Sequence, residues 1–388
     1  MKWAREKRLG PTLEALSAKL QESWKEATVE QIQSWENGSA YPSFTEVKKL
    51  AVLYKRPLAV FFLDSPPSAL ETPPDRRTIG SKDNKDISPE GLLVIRKARR
   101  IQEISESLYE ELGEKSTFKY PKYSINDDPV ELADKVRADL GISVIDQFKF
   151  SNYSNFFEHL RAKIESTGII TLKSGLHDSF PIEDCRAFSF ADVQPYLILV
   201  NNKDFEGPKN FSLAHELAHI LVRSAGLCNN FKTFDVNGRR VDQLEVFCNK
   251  FAANFLVPKD ALLSHRLLRE RSKINEDEAD GITERIALDF KVSKIVILRR
   301  LQVLNLVSDK IYKEKAKKWG DETPSRPKDK GGRYSLKTVL QKNGRAFSNL
   351  VLEAYQQKKI SYTGVSDYLG LKRKHIQGLE SLLHSNGR

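Results

Sequence analysis

The chain has 388 residues, 40% hydrophobic and 30% charged, the balance expected of a soluble globular protein with room for two or three domains. It holds no run of 18 apolar residues, and Met1 to Arg8 lacks the apolar core of a signal peptide, so the expected compartment is the cytoplasm, with no membrane partner. The cysteines Cys185, Cys228 and Cys248 form no C-x-x-C pair and no even disulfide framework, and the net charge of +11 sits wholly between Lys310 and Arg388, where 18 basic residues face 7 acidic ones.

Residues 12 to 62 read as several short helices. Leu13, Leu16 and Leu20 give one apolar face, Thr28 to Trp35 forms a second helix with Ile32 and Trp35 inward, and Gly38, Tyr41 and Pro42 make a turn before a helix carrying Val47, Leu50, Ala51 and Leu53. The stretch from Val29 to Pro67 resembles the lambda-repressor-like helix-turn-helix domain, in which the helix ending in W-E-x-G enters the DNA major groove. By that resemblance Thr28, Glu30, Gln31, Gln33 and Ser34 would face bases. The segment Gln21 to Ala27 is longer than the tight turn usual in such DNA readers, and the presumed reading helix carries no Lys or Arg, so a docking or dimerising module is the other expectation.

Pro66, Pro67, Pro73 and Pro74 begin a linker that stays polar to Lys85. Pro89 to Leu112 is helical, with a long apolar face, and Asp128 to Leu140 and Asn152 to Glu165 are two further amphipathic helices. Strand signals follow at Gly168 to Leu172, Arg186 to Phe190 and Tyr196 to Val200. A small sheet can hold an extended peptide as an added edge strand, and Arg186 to Phe190 or its neighbour is expected to offer that edge.

The stretch Phe211 to Val222 is apolar except for Ser212, His215, Glu216 and His219. Positions four apart share a helix face, so His215 and His219 can direct imidazole nitrogens at one metal ion, and Glu216 can reach a water that the metal activates. The spacing is H-E-x-x-H, that of a zinc hydrolase. A third ligand is then required. Val241 to Pro258 reads as a second helix with Leu244, Phe247, Cys248, Phe251, Ala252 and Phe255 at helical spacing, and it offers Glu245, with Cys248 as the competing ligand.

The pair FSLAHELAHILV and LEVFCNKFAANFLVP resembles the ImmA/IrrE zinc metallopeptidases, whose second motif has the form E-x-x-C/A-N-x-x-A-A-x-x-L-x-P. The resemblance also reaches Pro195 to Asn202. It implies that His215, His219 and Glu245 bind Zn2+ and that Glu216 is the general base. It further implies a substrate, a cognate helix-turn-helix repressor whose cleavage derepresses stress, mobile-element or defence genes.

Ile282 to Leu301 reads as two helices with a packing role, and Gly320 to Gly332 as a linker. Phe347 to Gln357 is helical. Ser361 to Leu369, a turn, and Lys372 to Leu383 make a second helix-turn-helix candidate whose last helix opens on Lys372, Arg373 and Lys374, and the basic excess there points to a nucleic-acid partner. The expected fold class is α+β, mostly helical. Its domains are a helix-turn-helix (1–66), a linker and long helix (67–125), a zincin-like metallopeptidase with a small sheet (126–308) and a basic helical domain (309–388). The rival reading is a DNA-binding regulator or antitoxin that keeps the peptidase fold as a scaffold or sensor.

Overall fold

A computed structural model of the chain describes residues 1–9, 12–54, 56, 58–63, 65, 87–174, 180–182, 184–224, 226–228, 243–321 and 335–385. The linker expected between Pro66 and Lys85 lies outside them. The chain forms two compact units, Met1–Glu71 with Asp86–Arg96, and Thr72–Lys85 with Lys97–Arg388. The described residues are mostly helical with one small sheet, as the α+β reading requires, and none of their helices is long and apolar enough to cross a membrane.

The first unit contains α1 (Lys2–Leu9), α2 (Leu13–Ser23), α3 (Val29–Glu36), α4 (Phe44–Leu53), a 3-10 turn (Leu58–Phe62) and the start of α5 (Pro89–Leu112). Thr28 caps α3 by accepting from the Gln31 amide at 3.2 Å, and Ser43 and Glu46 close a capping box on α4. Leu16, Leu20, Ile32, Leu50 and the stacked pair Trp24 and Trp35 form the core. The sequence reading missed α1, whose residues are mostly charged. It is held by the buried Ala4 and by Arg5, which makes a bidentate ion pair with Glu36 (2.8 and 3.0 Å), the last residue of α3.

In the second unit, α6 (Pro129–Asp139), α7 (Val144–Lys149) and α8 (Tyr153–Glu165) lead into β1 (Ile170–Lys173), β2 (Ala187–Phe190) and β3 (Leu197–Val200). The sequence placed α6 and α8 well because Asp128 and Asn152 are true N-caps that accept from the first-turn amides. Then come α9 (Glu206–Leu221), β4 (Gly226–Cys228), α10 (Gln243–Leu256), α11 (Lys259–Leu263), α12 (Glu276–Phe290) and α13 (Lys294–Val303). Ile297, Leu298 and Leu301 of α13 are fully buried, in keeping with a packing role.

The strand order is β1-β3-β2-β4, with β1 parallel to β3 and β2 antiparallel to both of its neighbours. Of the two alternatives expected for an edge, Arg186 to Phe190 is not one, because Ala187 to Ser189 also pair with Cys228 to Gly226, and among the described residues its neighbour β4 is an edge. A three-residue strand such as β4 is too short to leave a sequence signal, so its cover over β2 was invisible.

The chain ends in α14 (Asp309–Asp321), α15 (Leu336–Asn343), α16 (Arg345–Gln356), α17 (Tyr362–Leu369), a 3-10 turn (Arg373–His375) and α18 (Ile376–Ser385). Gly320 and Asp321 belong to α14, so no linker begins at Gly320, and residues 322–334 lie outside those described. The last α-helix starts at Ile376, since Lys372 is extended (φ −83°, ψ 148°). These helices are fastened to the peptidase core by a buried clasp. Glu165 accepts from the amides of Arg345 (3.0 Å) and Ala346 (3.3 Å) at the start of α16 and from the Thr171 hydroxyl of β1 (2.5 Å). Arg161 donates to Gln341 O (2.5 Å) and to the Thr171 hydroxyl (2.7 Å) and carbonyl, and pairs with Glu165 at 3.4 Å.

Candidate metal centre

Helix α9 is fixed at both ends, which is what a site of ångström tolerance needs. At its start Pro208 is accommodated in the first turn, and the buried Lys209 ammonium donates to Glu206 (2.9 Å) and Asn202 (3.3 Å). At its end Arg223 adopts the left-handed region (φ 54°) and reverses the chain, so that Ser224 N donates to His219 O at 2.9 Å. The Arg223 guanidinium donates to Ile220 O (2.6 Å) and Tyr120 O (2.7 Å) and lies over the rings of Phe118 and Tyr196. That turn places the Ser224 carbonyl 3.1 Å from His219 Nδ1. A carbonyl can only accept, so Nδ1 carries the proton and Nε2 presents its lone pair.

Helix α10 crosses against α9 through Leu244, Phe247, Cys248, Phe251 and Phe255, all buried. Its closing carbonyls are taken by two buried side chains, Arg137 on Phe255 O (2.6 Å) and Gln147 on Leu256 O (3.0 Å). In this register Glu245 faces the two histidines. Its Oε2 lies 3.3 Å from His215 Nε2, its Oε1 lies 3.3 Å from His219 Nε2, and the two Nε2 atoms are 3.1 Å apart.

Two imidazole nitrogens this close, facing one carboxylate in a buried site, are an arrangement that a cation among them would satisfy. The ligand atoms of His215, His219 and Glu245 all lie within 4.8 Å of one another, and all three residues are buried. Two nitrogens and one carboxylate oxygen are the donor set of a catalytic site that keeps a further position open, so these residues fit a metal ion. Burial works to raise the Glu245 pKa, but the His215 and His219 rings that face it outweigh this and hold the carboxyl well below its usual range.

Glu216 is fully buried one step round α9, and burial pushes its carboxyl up, against the opposing pull of His219 and His215. The Ser189 hydroxyl of β2 donates to Glu216 Oε2 at 2.7 Å, while Oε1 has no partner among the described residues. Ser189 was not singled out from the sequence, although a lone hydroxyl inside an otherwise apolar strand was the available signal. Cys248 lies fully buried against His219, and burial pushes its thiol up, so it stays protonated where Glu245 supplies the negative charge.

The expected nucleic-acid residues lie elsewhere. Gln31, Gln33 and Ser34 are half-buried on α3, with the Gln31 amide donating to Glu46 (3.3 Å) and the Ser34 hydroxyl to Gln31 O (2.8 Å). Thr28 serves as the cap. Lys372, Arg373 and Lys374 are exposed ahead of α18, and Arg373 N donates to the Tyr362 hydroxyl at 3.1 Å.

No curated protein matches the chain. Residues 171–302, about a third of its length, match the Peptidase_M78 family model, described as the IrrE N-terminal-like domain, which supports the ImmA/IrrE family and a metallopeptidase type of activity. The matched residues contain β2, β3, α9 and α10, the elements that bring His215, Glu216, His219 and Glu245 together.

Proposed function

We propose that the chain is a zinc-dependent endopeptidase of the cytoplasm that cleaves a helix-turn-helix repressor and so derepresses stress, mobile-element or defence genes. The observation that carries this reading is the convergence of His215, His219 and Glu245 beside a buried Glu216. His215, His219 and Glu245 would hold the zinc ion, which would supply Lewis acidity toward a water and a peptide carbonyl. Glu216 takes the proton of the attacking water and passes it to the amine as the C–N bond breaks. The helices α9 and α10 exclude solvent behind the ligands, which strengthens each of these interactions.

The reading extends to partners. The α2–α3 module is a candidate for docking DNA or the repressor, and the exposed Lys372, Arg373 and Lys374 for binding nucleic acid that raises peptidase activity. On a single strand each phosphate neutralised contributes about −0.7 to the log–log salt slope, so replacing the three by Gln should flatten it. Charge substitution is the right instrument, because deleting the tail would strip the clasp from Glu165 and Arg161.

The deciding experiment is co-expression of the chain, and of its Glu216→Gln variant, with a helix-turn-helix repressor encoded beside it, followed by mapping of any cut. Cleavage by the parent alone is expected. A metal-free parent that leaves the repressor whole would favour the regulator reading.

A further inference from the structure

Strand β2 reads Ala187-Phe-Ser-Phe190 and is buried at every position, so Ser189 is the one polar side chain of an otherwise apolar strand. Its hydrogen bond to Glu216 Oε2 spans 27 residues of sequence and joins the sheet to α9. The strand cannot shift easily, since Ser189 pairs with Ile198 of β3 on one side and Gly226 of β4 on the other. A glutamate on a helix has three free torsions, and a hydroxyl on a doubly paired strand is a fixed point against which they can be set.

We infer that Ser189 is the positioning residue for Glu216: its hydroxyl anchors Oε2 and leaves Oε1 as the oxygen that takes the proton. This rests on the reading of Glu216 as general base. The two oxygens divide the work. Oε1 accepts a proton from the water whose oxygen bonds to the carbonyl carbon, and the proton departs with the amine nitrogen as the C–N bond breaks, which restores the carboxylate. Oε2 keeps its bond to Ser189 throughout, so the base returns to the same place for the next turnover.

The test uses the zinc-loaded full chain and its co-expressed repressor as substrate, with Ser189→Ala, Ser189→Thr, Glu216→Gln and the Ser189→Ala, Glu216→Gln pair. Ser189→Ala should lower kcat about ten- to a hundred-fold with KM and zinc content unchanged, the scale expected of a misplaced base. Ser189→Thr should recover most of the loss, and Ser189→Ala should cost nothing more in the Glu216→Gln background. A second readout needs no turnover. In the metal-free chain Ser189→Ala should lower the urea midpoint, and it should not do so in a Glu216→Ala background, where the hydroxyl has already lost its acceptor. That comparison also decides the matter where the threonine methyl does not fit. If Glu216→Gln cuts at the parent rate, the base assignment falls and this inference with it. If Glu216→Gln is inactive while Ser189→Ala matches the parent, or if Ser189→Ala loses zinc in both backgrounds, the positioning role alone is overturned.

Discussion

Two buried polar clusters lie within the second unit, one on α9 and α10 and one between α8, β1 and α16. In the clasp, Arg161 meets Glu165, Thr171 and Gln341 O, and Glu165 meets two backbone amides as well, so donors and acceptors balance without help. At the metal centre, two Nε2 atoms and both oxygens of Glu245 crowd together, and Glu216 Oε1 has no partner among the described residues. A cluster that satisfies itself is part of the scaffold. One whose acceptors converge fits a cation.

The largest expected effect comes from taking the ligands away. Replacing His215 and His219 by Ala should reduce zinc from about one ion per chain to almost none and abolish cleavage, as read by metal analysis of the purified protein. In the parent, zinc at about a hundred times its Kd should stabilise the fold by about 2.7 kcal/mol, and that gain should vanish in the double variant. Stoichiometric zinc retained by the variant would dissolve the contrast with the clasp.

Breaking the clasp should do the reverse, costing stability and sparing the metal. Glu165→Ala leaves the buried Arg161 facing only the partly exposed Glu158 at 3.7 Å and strips two amides of α16 of their acceptor, which should cost about 3 kcal/mol in urea unfolding, with zinc per folded chain unchanged. Gly344→Ala should act on the same joint more mildly. Gly344 has φ +76°, and a Cβ there would stand 2.5 Å from Thr171 O and 2.9 Å from Arg161 Nη2, and would also press on Glu165 Oε1, so a loss of about 1–3 kcal/mol is expected. If either variant loses zinc first, the two clusters are one system.

The contrast also explains what the sequence could and could not reveal. His215, Glu216 and His219 are neighbours on one helix, so local spacing was enough to group them, whereas spacing on the second helix left Glu245 in competition with Cys248 and it was the resemblance that singled Glu245 out. The helix starts at Thr28, Asp128 and Asn152 were legible from periodicity, although none of the three was read as a cap and Thr28 was expected to face bases. The clasp joins residues 180 apart, and no local pattern carries that. Nor does any pattern show that β4 covers β2, and the lone hydroxyl of Ser189 in an apolar strand signalled a polar contact without naming Glu216 as its partner. Helix α15 went unread because its one fully inward apolar residue, Val339, packs in a tertiary setting, and α1 because its hold on the core is an ion pair.

The smallest expected effect is a pH dependence that separates the clusters without disturbing either. Burial pushes the Glu165 carboxyl above its ordinary range, even though Arg161, Thr171 and the amides of α16 pull it back. A folded pKa above the unfolded one means that this group's contribution to stability is complete below the unfolded value of 4.5 and is lost as pH rises through the folded value. The metal-free parent should therefore lose stability over that window, by no more than about 1.4 kcal/mol per pH unit for one proton. Glu165→Gln cannot titrate, so the difference in urea midpoint between the two chains should slope across the window and be flat above it. The groups of the metal centre titrate alike in both chains and cancel. A difference that is flat from pH 4 upward would mean that Glu165 is charged throughout, and that Arg161 outweighs the cost of burying it.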